Sequence, residues 1–129
     1  MLFSLPVYAK ERITPRWLQV IDATECYPVN GIVPMSNYHA YVKVDGTRYN
    51  SCAVMWSTES SYMISARCSV NNNGESQETT AWHTLYNTSE VRSDYIAASR
   101  SKCTYTAYGE SKRVQNGNLY TGQVSKSYT

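Results

Sequence analysis

The sequence predicts an all-β protein: a single antiparallel β-sandwich of roughly seven or eight short strands, reinforced by disulfide bonds. In the stretch Tyr62–Val70 every second residue from Tyr62 is apolar or aromatic, and three of the four residues between them are polar; this pattern is typical of a strand with one buried and one wet face. Turn residues recur at intervals of about ten residues along the chain. The composition agrees, because 12 tyrosines stand against one phenylalanine, and Tyr and Thr favour strands.

The cysteine-bearing segments predict a hairpin. Upstream of Tyr62–Val70, the residues Cys52, Val54 and Trp56 share one parity. If the chain turned near Ser60, Cys52 would lie opposite Cys68 on the inward face of an antiparallel pair.

Four cysteines without C-x-x-C spacing or a neighbouring histidine argue against a metal site. Their even number favours two disulfides and an oxidising compartment. Three pairings are possible, of which we favour Cys52–Cys68 with Cys26–Cys103. The alternative is four reduced, buried thiols.

The remaining elements follow the same logic. Asn37–Val44 alternates and runs into Asp45-Gly46, a pair typical of tight hairpin turns. A second turn is expected at 71–74, where Asn and Gly tolerate left-handed backbone. Further strands are predicted at Thr79–Asn87, Val91–Ser99, Cys103–Tyr108 and Leu119–Val124, with a helix over Ser89–Arg100 as an alternative.

Length and termini suggest one domain. Residues 1–15 are interpreted as a signal-peptide remnant or an N-terminal arm, since a short apolar stretch ends in Val7-Tyr8-Ala9 before charged residues. Residues 16–129 form the predicted β-sandwich domain. No stretch reaches the roughly 18 apolar residues of a membrane span, so we expect no transmembrane segment.

Several function classes find little support. A net charge of +2 is too small to indicate nucleic-acid binding. No phosphate loop, dinucleotide fingerprint or EF-hand loop is present, so no cofactor is expected. The chain has two histidines, His39 and His83, but no G-x-S-x-G motif that would supply a serine nucleophile for either. The carboxylate pair Asp22 and Glu25 could serve glycoside hydrolysis only with an opposed carboxylate across a cleft, which the sequence does not indicate. We therefore expect a protein that is not an enzyme.

The tyrosines are the best functional candidates. Exposed aromatic rings offer a large contact area at little entropic cost, whereas Trp56 and Trp82 lie among apolar residues and are expected in the core. Ordinary cross-strand pairing is the alternative reading. The predicted ligand-binding residues are Tyr41, Tyr49, Tyr108 and Tyr120.

These features predict a secreted or cell-surface binding module whose partner is a glycan, a cell-wall polymer or another protein. The alternative prediction is a subunit of an extracellular assembly or homo-oligomer, in which the N-terminal arm adds a strand to a neighbour.

Two short stretches suggest a third possibility. Ser36-Asn37-Tyr38-His39 and Val70-Asn71-Asn72-Asn73 resemble stretches of the lactococcin 972-type bacteriocins, and they occur in the same order. The resemblance implies a small, secreted, all-β toxin of Gram-positive bacteria. The spacing between the stretches would require an inserted hairpin, and this chain carries four cysteines where the type member of that family has none.

Overall fold

The computed structural model describes residues 23–30 and 37–129. It confirms an antiparallel, all-β architecture and contains no helix in those ranges. The segment interpreted as a leader or arm lies outside the described residues. The strands are β1 (Ala23–Pro28), β2 (Ala40–Gly46), β3 (Asn50–Asn71), β4 (Gln77–Thr79), β5 (His83–Arg92), β6 (Ile96–Ala97), β7 (Cys103–Lys112) and β8 (Leu119–Tyr128).

A five-stranded barrel replaces the predicted two-sheet sandwich. Strands pair in the order β2-β1-β8-β7-β3, and β2 pairs with β3 to close the ring. The closing ladder joins 40–46 to 51–57, whereas the described contact between β1 and β8 is limited to Tyr27 with Thr121 and Pro28 with Tyr120. The strands β4, β5 and β6 pair with β3 outside this ring.

The predicted hairpin at Ser60 is wrong, because β3 continues through it as a single strand of 22 residues. Its first part pairs with β2 and its second part with β7. Between Trp56 and Ser61 β3 advances five residues, while the partner strand β5 moves only from Glu90 to Thr88. Such a bulge bends the strand, so that its first part can pair with β2 and its second part with β7 in the same barrel.

The bulge also reverses which parity of β3 faces the interior. Ala53 and Met55 belong to the core before it, whereas Ile64, Ala66 and Cys68 belong to the core after it. The inward alternation predicted for Tyr62–Val70 is therefore confirmed from Ile64 onward. The parity of Cys52, Val54 and Trp56 lies on the opposite side from Ala53 and Met55 in the first part of the strand.

A buried hydroxyl network fixes the bulge. The Tyr38 hydroxyl lies 2.7 Å from both Ser61 Oγ and Ser111 Oγ, and Ser61 Oγ lies 2.8 Å from Ser57 Oγ. Buried hydroxyls are costly unless they are hydrogen-bonded, so these groups satisfy one another inside the barrel. The network explains why position 38 holds a tyrosine: a phenylalanine there would remove the hydroxyl that hydrogen-bonds to Ser61 and Ser111.

Besides the hairpin turn near Ser60, the sequence predicts turns at 71–74 and at Asp45-Gly46, and the backbone angles test both. Asn73 (φ 56°) and Gly74 (φ 82°) adopt the left-handed turn expected at 71–74, and Gly74 N–H donates to Asn71 Oδ1 at 2.7 Å. The turn predicted at Asp45-Gly46 is misplaced: both residues belong to β2 and pair with Cys52 and Ser51, Gly46 with φ 143° is the last residue of the strand, and the connection to β3 is 47–49. The alternative helix over Ser89–Arg100 is wrong, since that segment holds the end of β5 and the short β6.

All four cysteines are buried, free thiols, and the predicted disulfides are absent from the structure. Cys68 faces the interior after the bulge, while Cys52 faces away from it before the bulge and lies 3.2 Å from Arg92 Nη1. The hairpin that would have paired them does not exist.

The second predicted bridge fails on distance. Cys26 packs against Gly122, the register partner of Gly109. Cys103 lies six positions before Gly109 on β7, which is about 20 Å along a strand, whereas a disulfide needs Cα atoms within about 7 Å.

Gly109 makes room for Met55, one of the largest fully buried side chains in the described chain. A Cβ built on Gly109 would clash with Met55 Sδ and would lie 3.1 Å from Val42 Cβ. Over-packing a dense core costs about 1–3 kcal/mol.

We therefore expect Gly109→Ala to lower the free energy of unfolding by about 1–3 kcal/mol, measured by urea denaturation. Met55→Ala alone should cost about 2–5 kcal/mol. The double variant should cost clearly less than the sum, because the new methyl group occupies space that Met55 vacates. Additive costs would contradict this packing.

The thiols give a second prediction. Iodoacetamide should leave the native protein unmodified and should alkylate all four cysteines in denaturant without any reductant, as read from the intact mass. If alkylation in denaturant required a reductant, the free-thiol assignment would be wrong.

The same thiols should weaken the fold at high pH. Burial raises the pKa of Cys26 and of Cys68 from 9.0 to about 12. Since both folded-state values lie above the ordinary value, the stability that these neutral thiols contribute is intact below pH 9 and is lost as the pH rises toward about 12. A Cys68→Ala variant should show a smaller decline in unfolding free energy over that window than the unaltered chain.

Candidate binding site on the outer sheet face

The side chains that point away from the barrel interior form a continuous surface over four neighbouring strands. β3 lies between β5 and β7, and β7 lies between β3 and β8. Directly paired residues point to the same side of an antiparallel sheet, so the residues flanking inward-facing Ala66 and Ala107 point outward. We call this surface the outer sheet face; it comprises Trp82, Thr84, Tyr86, Met63, Ser65, Arg67, Tyr108, Glu110, Lys112, Thr121 and Gln123.

Arg67 lies at the centre of one row of this face, between two aromatic rings. Its Cζ is 5.0 Å from the centroid of the Trp82 ring and 4.6 Å from the centroid of the Tyr108 ring. Both distances fall within the range of about 6 Å over which a cation is attracted to a ring face. The sheet register places these residues together. Tyr108 on β7 is the direct partner of Arg67. On the other side, His83 of β5 is the partner of Ala66, so Trp82, the residue before His83, lies beside Arg67.

The Arg67 guanidinium has no acceptor of its own in the described part of the chain. Its Nε is buried without a hydrogen-bond partner there. None of the ion pairs formed among the described residues includes it. The rings thus hold a permanent positive charge in place without neutralising it.

Exposed aromatic surface extends along the β5 side of the site. Trp82 is 38% exposed, and Tyr86 is more exposed still. The Tyr86 ring packs edge-to-face on Tyr62 with centroids 5.5 Å apart, a favourable geometry for aromatic pairs. These rings are therefore held in fixed orientations while part of their surface stays accessible.

Ordered hydroxyl pairs surround the aromatic row. Ser65 Oγ lies 2.7 Å from Thr84 Oγ1 on the β5 side. Farther along β7 and β8, Thr106 Oγ1 lies 2.8 Å from Ser125 Oγ, and Thr104 Oγ1 lies 2.9 Å from Ser127 Oγ. A hydroxyl that donates one hydrogen bond keeps acceptor capacity, so the two exposed pairs on β7 and β8 can still bind polar groups; Ser65 is buried.

The four tyrosines predicted to bind ligand do not come together. Tyr41 is only 2% exposed and stacks on Trp56 at 5.5 Å between centroids, and Tyr120 is 6% exposed and packs edge-to-face on Tyr38 at 4.9 Å. Their rings are enclosed within the protein. Tyr49 is 76% exposed in the turn between β2 and β3, away from the outer sheet face.

Tyr108 alone among the predicted residues lies on the outer sheet face, and its two neighbours in the site were not predicted. Trp82 was expected in the core but lies outside it. One sequence feature could have drawn attention to Arg67: it is the only charged residue on the outward parity of Tyr62–Val70. Pairing it with Trp82 and Tyr108 required the register of three strands.

The groups considered for catalysis lie elsewhere. His39 Nδ1 is 2.9 Å from Glu25 Oε2 in a half-buried pair, and His83 Nδ1 is 2.8 Å from the Arg92 carbonyl oxygen. Asp22 lies outside the described residues. Within residues 23–30 and 37–129, no group of three His, Cys, Asp or Glu side chains could hold a metal ion.

Comparison with known proteins returned no match among family models, curated proteins or solved structures. No helix in the described ranges is long and apolar enough to cross a membrane.

The two ring contacts of Arg67 predict a modest contribution to stability. An exposed cation–π contact contributes roughly 0.5–1 kcal/mol, so Arg67→Gln should lower the free energy of unfolding by about 1–2 kcal/mol in urea titrations. As a matched control, Arg100→Gln removes an arginine from an exposed ion pair and should change stability by less than about 1 kcal/mol. Equal effects of the two variants would contradict the ring contacts.

Proposed function

We propose that the protein is a non-catalytic binding module that binds a carbohydrate on the outer sheet face. The observation that carries this proposal is the Arg67 guanidinium held between the accessible rings of Trp82 and Tyr108. Aromatic rings with a polar environment suit a ligand that is apolar on its ring faces and polar at its edges. Sugars have this character.

The hydroxyl pairs on the same face support a carbohydrate ligand over an apolar protein surface. Thr106 with Ser125 and Thr104 with Ser127 present polar groups where a hydrophobic interface would place apolar ones. Protein–protein hot spots are generally enclosed by a ring of residues that excludes water, and this open, hydroxylated sheet offers no such enclosure.

The extracellular location, the assembly-subunit alternative and the bacteriocin-like alternative remain predictions from the sequence. The carbohydrate proposal differs from them in its test, because it assigns binding to named side chains. Neither killing of target cells nor self-association of the chain depends on Trp82 and Tyr108 under this proposal.

The proposal is tested by screening the purified protein on a broad glycan array and measuring affinities for the best glycan by calorimetry. Trp82→Ala and Tyr108→Ala should each weaken binding about tenfold or more, since loss of one ring contact of about 1.5 kcal/mol corresponds to a factor of ten. The melting temperature of each variant should stay close to that of the unaltered chain.

Tyr49→Ala and Tyr95→Ala are matched controls, because both remove an exposed tyrosine away from the outer sheet face. They should bind as the unaltered chain does. Equal losses in control and site variants, or no binding to any glycan of the array, would overturn the proposal.

A further inference from the structure

We propose that the carbohydrate bound on the outer sheet face is acidic, and that a carboxylate or sulfate on its ring accepts hydrogen bonds from Arg67. This inference rests on the proposed function and specifies its ligand. It follows from how this arginine differs from Arg92, Arg100 and Arg113, which pair with carboxylates.

The other arginines near an acidic side chain use it as a partner. Arg92 Nη1 lies 2.6 Å from Asp45 Oδ2, Arg113 Nε lies 2.9 Å from Glu59 Oε1, and Arg100 pairs with Glu75. In the described residues Arg67 forms no such pair, although the outer sheet face also carries Glu110. Its charge is therefore available to a ligand.

The surroundings of Arg67 decide which part of the guanidinium a ligand can reach. Arg67 Cζ lies over the Trp82 and Tyr108 rings at 5.0 Å and 4.6 Å from their centroids. Its Nε is buried, so the terminal Nη1 and Nη2 groups are the donors that a ligand would reach. These donors match the paired oxygens of a carboxylate or a sulfate, which accept two parallel N–H bonds. A sugar ring stacked on an adjacent aromatic ring would bring such a group to these donors.

Glu110 and Lys112 set the local field around the site. Glu110 is the register partner of Ser65 and so lies one row from Arg67, while Lys112 pairs with Met63 one row farther. The Glu110 carboxylate opposes an anionic ligand at this range. Neutralising it should therefore favour an acidic sugar over a neutral one.

The test compares sugars that share a backbone but differ in charge. Oligogalacturonate is paired with its fully methyl-esterified form, and dextran sulfate oligomers are paired with unmodified dextran oligomers. We expect at least one acidic member to bind about tenfold tighter than its neutral counterpart, with binding that weakens as salt is added. The pair that shows the difference distinguishes carboxylate from sulfate.

Variants assign the effect to the site. Arg67→Gln should reduce binding of the acidic sugar to the level of the neutral one, whereas Arg67→Lys, which keeps the charge but loses the planar fork, should lie between. Glu110→Gln should strengthen binding of the acidic sugar several-fold at low salt, by a clearly larger factor than it changes binding of the neutral one. Arg100→Gln, remote from the face, should change neither.

The outcomes separate this inference from the proposed function. If acidic and neutral members bind equally, or if only neutral glycans of the array bind, the inference is wrong while carbohydrate binding stands. If no glycan binds at all, both fall. If Arg67→Gln weakens acidic and neutral sugars to the same extent, Arg67 only positions the rings and the inference is again wrong.

Discussion

The change of register in the middle of β3 is the constraint on which the rest of the structure depends. A barrel closed by so few strands requires one of them to turn sharply, and β3 does so between Trp56 and Ser61, where it gains three residues over β5. The gain is odd, so the inward parity changes as well. Ser57 and Ser61 lie within this segment, and their hydrogen bonds to each other and to Tyr38 hold it in one conformation.

Small residues let the barrel close around that bend. Gly109 and Gly122 are direct partners on β7 and β8, and each leaves the space that a neighbouring side chain fills: Met55 at the first and Cys26 at the second. Side chains in protein interiors pack as densely as organic crystals. A large side chain that points into a narrow barrel therefore requires a small residue, such as glycine, on the strand that it contacts. The cysteines act here as small apolar residues, which explains their burial without disulfides.

Alternation allowed the strand class, the inward face of Tyr62–Val70 and the Asn-Gly turn to be predicted, because each depends on neighbours in sequence. The sequence could not distinguish a hairpin at Ser60 from a bulge, because Thr58-Glu59-Ser60 has the composition of a turn. Hydrophobic periodicity shows which face of a segment is buried, but it does not show whether two segments belong to one continuous strand. The choice among tyrosines failed for a related reason. In a core that pairs Tyr38 with serine hydroxyls, tyrosine serves inside as well as outside, so residue type did not separate Tyr41 and Tyr120 from Tyr108.

The site arises from the same bend that defines the fold. Had β3 kept its first parity through Ser61, Arg67 would point into the barrel and Cys68 away from it. The three inserted residues instead turn Ala66 and Cys68 inward and carry Arg67 to the surface, where strands remote in sequence supply Trp82 and Tyr108 as its neighbours. A charge in that position is stabilised by two ring faces but is not matched by an acid in the described chain. In the described chain Arg92, Arg100 and Arg113 pair with carboxylates, so the missing acidic partner of Arg67, together with its two rings, is the feature that marks this part of the sheet as the candidate site.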